Sequence, residues 1–72
     1  MKFIKVKNEN GKDIIVNLLN VTSFFPSDEN GTIIYFTTPE DYVKVTTSIE
    51  AFYNGLNVIN DSSNVWDFSK LK

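Results

Sequence analysis

The stretch Thr32-Ile33-Ile34-Tyr35-Phe36-Thr37 is the longest apolar run in the chain and is made only of β-branched and aromatic residues. Residues of this kind fit a pleated sheet surface, so the run reads as a central strand. Alternation sends Ile34 and Phe36 to one face and Ile33 and Tyr35 to the other, and both faces then require a cover. One cover is the short amphipathic helix expected after Thr47. The second has no evident source within the same sheet, and that gap bears directly on function.

The flanking segments supply more strands. From Lys2 to Lys7 the chain alternates, with Ile4 and Val6 on one side and Phe3, Lys5 and Lys7 on the other. We read it as a first strand near a sheet edge, where lysines oppose edge-to-edge aggregation. Asn10-Gly11 is a strong hairpin signal, because both residues accept positive φ cheaply. Asp13 to Asn17 then returns antiparallel, with Ile14 and Val16 facing the Ile4 and Val6 side. Asn17-Leu18-Leu19-Asn20 reads as one tight turn whose leucines plug an end of the core. Val21 to Phe25 is a third strand, limited by Pro26. Turns at Ser27–Gly31 and Thr38–Asp41 bracket the central strand, and Tyr42 to Thr46 forms a fifth, with Val43 and Val45 inward and Tyr42 and Lys44 outward.

Thr47-Ser48-Ile49-Glu50 has the form of a capping box. The residues Ile49, Phe52, Tyr53 and Leu56 follow at i, i+3, i+4 and i+7, one stripe of a short helix, and Gly55 suits its C-terminal cap. A helix so short is marginal alone and must dock on the sheet. The expected fold is α+β, mainly β: a five-stranded antiparallel meander or small partly closed barrel, one short C-terminal helix, and an aromatic-containing tail. Residues 1–57 form the domain. Residues 58–72 form a tail rich in Asn, Asp and Ser that still carries Val65, Trp66, Phe68 and Leu71, too many large apolar groups for a purely disordered end. It has three ways to use them: an edge strand, a cover for the open sheet face, or an anchor on a partner.

Composition removes most chemistry. The chain has 72 residues, no Cys, no His and no Arg, and a net charge of −2. A domain of this size buries only about 60% of its unfolded surface, and without disulfides its stability rests on the core or on self-association. With no imidazole or thiolate there is no ready general base, activated nucleophile or soft metal ligand. The adjacent acid pairs Asp28-Glu29 and Glu40-Asp41 lie in turns and lack calcium-loop spacing. No catalytic residue, cofactor or metal ligand is therefore expected. The missing arginine and the acidic balance disfavour nucleic acid. Lysines crowd the first seven residues, which leaves no apolar signal-peptide core, and no run is long enough to span a bilayer; a cytoplasmic location without membrane association is the expectation.

The order of these motifs resembles the FlbD-like family of small bacterial proteins. The likeness runs over about residues 3–56: Asn10-Gly11-Lys12 before the Ile14-Ile15-Val16-Asn17 strand, the Asn17-to-Val21 turn into Thr22-Ser23-Phe24, the Thr32–Phe36 strand, and Tyr42–Val45 leading into the helix at Thr47. Two features depart from that pattern, the Pro39-Glu40-Asp41 turn and the aromatic tail. The resemblance implies a small β-rich protein of accessory or regulatory type and carries over no catalytic residue.

By strand parity Phe3, Ile15, Ile33, Tyr35 and Tyr42 fall on the face opposite the helix. With Trp66 and Phe68 of the tail they are the candidate partner-binding residues. Three covers for that face remain open: barrel closure, the tail, or a partner. The leading functional expectation is a small non-enzymatic interaction or regulatory module that binds another protein, or itself as a homo-oligomer. The alternative, from another class, is a phage-borne inhibitor that captures a small nucleotide ligand or blocks a host enzyme. Single-stranded nucleic-acid binding ranks third.

Overall fold

The structure, a computed structural model, describes residues 2–38, 40–56 and 65–69. The five expected strands are present as β1 (Phe3–Lys7), β2 (Asp13–Asn17), β3 (Val21–Pro26), β4 (Thr32–Phe36) and β5 (Tyr42–Val45). They are followed by the helix α1 (Ile49–Leu56) and a further short strand, β6 (Val65–Asp67). The arrangement differs from a single meander. The strands form two three-stranded sheets, ordered β2-β1-β6 and β3-β4-β5.

The division falls between β2 and β3, where the 3-10 turn Leu18–Asn20 carries the chain from one sheet to the other. Asn17 caps that turn, its side-chain oxygen accepting from the Leu19 amide at 3.0 Å. Of the two leucines expected to plug the core, Leu18 packs against it, whereas Leu19 is 70% exposed. Within the first sheet β1 is central rather than near an edge: β2 pairs with it antiparallel and β6 parallel. Its lysines therefore stand on a sheet face. There Lys7 and Lys5 reach Asp13 at 2.9 and 3.6 Å, and the hydrogen bond from Lys7 lowers the Asp13 pKa from its ordinary value.

The two sheets meet at one corner. The Thr46 amide donates to the Lys7 carbonyl at 3.0 Å, the Glu9 amide donates to the Lys44 carbonyl at 3.0 Å, and Asn8 bridges Val45. They do not close into a barrel: no ladder joins β2 to β3, and β6 rather than β5 pairs with Phe3–Lys5 of β1.

Strand parity follows the sequence. Ile4, Val6, Val16, Ile34 and Val45 are buried between the sheets, with Ile14, Phe36 and Val43 packed against them. Phe52 of α1 and Phe68, just after β6, complete the core, their rings stacked at 5.2 Å, while Phe24 meets Phe52 at 5.0 Å. The helix differs from expectation in three details. Ser48, not Thr47, caps it, its Oγ accepting from the Ala51 amide at 3.1 Å. Gly55 lies inside the helix rather than beyond it, directly beneath the Phe68 ring. Tyr53 is 73% exposed instead of joining the buried stripe, so the docked face is narrower than the spacing suggests.

Thr47 has a different task. It is fully buried, and its hydroxyl donates to the Phe68 carbonyl at 2.9 Å, while its own carbonyl accepts from the buried Thr32 hydroxyl at 2.7 Å. This chain of hydrogen bonds ties β4 to the segment after β6 through the approach to the helix. Residues 65–69 of the expected tail thus contribute a strand and a core ring. Residues 58–64 and 70–72, with Leu71, lie outside the described residues, as does Pro39 of the third turn.

Candidate binding surface

The outward side chains of β3, β4 and β5 build one surface. On β4, burial of Thr32 and Ile34 leaves Ile33 and Tyr35 facing away from the core. A register shift between Val21 and Ser23 in β3 changes the parity of that strand: Val21 and Phe24 both reach the core, and Phe25 turns outward. Inward Val43 and Val45 send Tyr42 and Lys44 to the same outer face from β5.

Pairing then aligns the aromatics across all three strands. Tyr35 lies opposite Tyr42, their rings 5.8 Å apart, and Ile33 lies opposite both Phe25 and Lys44. Phe25 reaches diagonally to Tyr35 at 5.5 Å, edge to face. Such cross-strand and diagonal contacts hold rings in fixed positions on a sheet. The outer rings stay open to solvent, Phe25 at 52% and Tyr42 at 56%. A shallow hollow of about 390 Å³ runs beside them between Thr22, Phe25, Tyr35 and Thr37.

Both ends of this stripe are acidic. Exposed Asp28 and Glu29 lie in the turn beyond Phe25 and Ile33, and exposed Glu40 and Asp41 in the turn beyond Tyr35 and Tyr42. A groove of about 270 Å³ continues from Ile33 past Lys44 to Glu9, Asp28 and Glu29. Lys44 is the one cation lining that groove among the described residues. Among the described residues no three carboxylates gather to hold a metal ion. No helix among them is long and apolar enough to cross a membrane.

The seven residues singled out from the sequence separate into three groups. Ile33, Tyr35 and Tyr42 come together here. Phe3 and Ile15 lie on the outer face of the other sheet, Phe3 opposite Val65 and Ile15 opposite Lys5, because the parity argument placed all five strands in one sheet. Trp66 and Phe68 turn inward: Trp66 is paired in register with buried Ile4 and packs against the core, and Phe68 is 2% exposed and offers a partner no surface. The buried Trp66 Nε1 has no hydrogen-bond partner among the described residues. Phe25 was missed. Simple alternation cannot assign two adjacent phenylalanines to faces, and the bulge that decides between Phe24 and Phe25 depends on pairing with β4.

No protein-family model matches the chain, and comparison with curated proteins and with solved structures gives no match.

Proposed function

We propose that this protein is a non-enzymatic binding module whose working surface is the outer face of β3, β4 and β5, and that its partner is another protein. The observation that carries this reading is the Phe25–Tyr35–Tyr42 stripe, aromatic, ordered by ring contacts and left in solvent. Exposed apolar patches rimmed by polar residues are typical of protein-binding sites, and aromatic anchors dominate their energetics. The acidic turns at both ends favour a partner that carries lysine or arginine around an apolar centre, since opposite potentials steer encounter and fix orientation. The resemblance of residues 3–56 to FlbD-like proteins supports an accessory or regulatory role for such a module.

The nucleotide-capturing inhibitor and the single-stranded nucleic-acid binder would use the same rings for stacking. The acidic ends argue against both, because phosphate would meet Asp28 and Glu29 at one end, where Lys44 lines the groove beside them, and Glu40 and Asp41 at the other.

The test compares the wild-type chain with a Tyr35→Ser/Tyr42→Ser variant as baits in the native host lysate. The expected result is a partner retained by wild type and lost by the variant, while unfolding stays a single transition with a loss of about 0.5–2 kcal/mol from the ring contacts of half-buried Tyr35. A partner bound equally by both proteins removes the proposed surface. A thermal shift with nucleotides that the double variant abolishes moves the assignment to ligand capture.

A further inference from the structure

β2 ends the first sheet, with β1 on one side and no strand among the described residues on the other. The orientation of its backbone groups follows from the register. The Leu18 amide donates to the Lys2 carbonyl at 3.0 Å and the Asn8 amide to the Lys12 carbonyl at 2.8 Å. In an antiparallel ladder hydrogen-bonded pairs alternate, so Ile14 and Val16 bond to β1 and Asp13, Ile15 and Asn17 direct their amides away from it. The β1 side agrees: the carbonyls of Lys5 and Lys7 point the opposite way, to the amides of Phe68 and Thr46.

Exposed edges are usually blunted. Edge strand β3 has Pro26 in its outward-facing set, where the missing amide removes a donor. The outer edge of β5 is taken up at Lys44 and Thr46 by Glu9 and Lys7. β2 has no proline, bulge or inward charge, and in its middle stands Ile15, 56% exposed.

We infer that β2 is the seam of a homodimer, in which two copies of this chain pair β2 antiparallel about a twofold axis at Ile15 and join their first sheets into one. The register centred on Ile15 is the one that pairs the whole strand with itself: an axis at Ile14 or Val16 also lets outward amides and carbonyls meet, but overlaps only three residues of each copy. At Asp13 it would set two carboxylates face to face. At Asn17 it would run into the 3-10 turn, whose first hydrogen bond uses the Asn17 carbonyl. At Ile15 it sets Asp13 opposite Asn17 of the second copy, Ile15 against Ile15, and half-buried Ile14 against Val16. Ile15 then exchanges both backbone bonds with its counterpart, and each Asn17 amide donates to an Asp13 carbonyl. An isologous contact of this kind closes after two copies. It uses a different surface from the aromatic stripe and stands or falls independently of it.

Sedimentation of the wild-type chain from micromolar to millimolar concentration tests the seam, together with residue-resolved amide exchange. The expected result is a rise in mass to twice the 8.2 kDa of the chain, with protection of the Ile15 and Asn17 amides appearing over the same concentration range. Ile15→Lys abolishes the dimer while the circular dichroism spectrum is unchanged. Ile15→Glu alone does the same, and an equimolar mixture of the two variants restores it through opposite charges across the axis. A monomer throughout, with the Ile15 amide exchanging freely, overturns the inference. So does a dimer that survives Ile15→Lys but is dissolved by Tyr35→Ser/Tyr42→Ser, which would place self-association on the aromatic face.

Discussion

Gly55 shows how one residue's role is fixed by what lies over it. In an exposed helix interior, replacing Gly with Ala gains about 1 kcal/mol. Here an added Cβ would strike the Phe68 ring, which is itself buried and stacked on Phe52. A ring held on both sides cannot give way cheaply, and overpacking of this kind costs about 1–3 kcal/mol. Gly55→Ala is therefore expected to lower the urea midpoint despite its better helix propensity. A raised midpoint would show that the ring shifts without penalty. Gly11 is glycine for another reason, its φ of 82° lying in the left-handed region within the β1–β2 turn. There Asn8 accepts from the amides of Asn10 and Lys12 at 2.9 and 3.0 Å.

At the level of elements, the joint between sheets is made by short connections more than by the strands. Thr47 receives a hydrogen bond from Thr32 of β4 and donates one to Phe68 beyond β6, all in a region without solvent. Thr47→Val keeps the volume and the bond accepted by the Thr47 carbonyl but leaves the Phe68 carbonyl without its hydroxyl donor. A buried acceptor left unpaired costs about 1–3 kcal/mol, and Thr47→Ser, which retains the hydroxyl, is expected to recover most of that loss. Destabilisation by serine with valine near neutral, measured by denaturant unfolding, would mean that packing of the methyl group matters rather than the hydrogen bond. Were Thr47 the helix cap, Thr47→Val but not Thr47→Ser would instead lower helix content first.

For the whole molecule, the core runs through both sheets and the helix, so neither sheet has an apolar interior of its own. Ile4, Val6 and Val16 come from one, Ile34 and Val45 from the other, and Phe52 and Phe68 close the space between them. A domain of this length holds only about 4–11 kcal/mol of stability. Phe68→Ala, at about 3–5 kcal/mol, would remove much of it. The prediction is a single cooperative transition at a much lower midpoint, with near- and far-ultraviolet signals moving together. Separate transitions for the two signals would show that one sheet survives without the other.

The sequence by itself determined the local features of this protein. Alternation assigned the inward residues of β1, β2, β4 and β5, because side-chain direction in a strand repeats every two residues whatever the partner. Asn10-Gly11 and Ser27–Gly31 marked turns through backbone preference, and the spacing from Ile49 to Leu56 marked the helix. Tertiary structure decided how these pieces combine. Where the meander breaks, that β1 is central, that Val65–Asp67 pairs parallel to it, and that Phe25 faces outward while Phe24 faces in all depend on hydrogen bonds between segments distant in the chain. The same holds for the candidate surface: Ile33, Tyr35 and Tyr42 are outward by local parity, but Phe3, Ile15, Trp66 and Phe68 leave the group once the strands divide into two sheets. Periodicity specifies which side of a strand is apolar, and only pairing specifies which sheet that side belongs to.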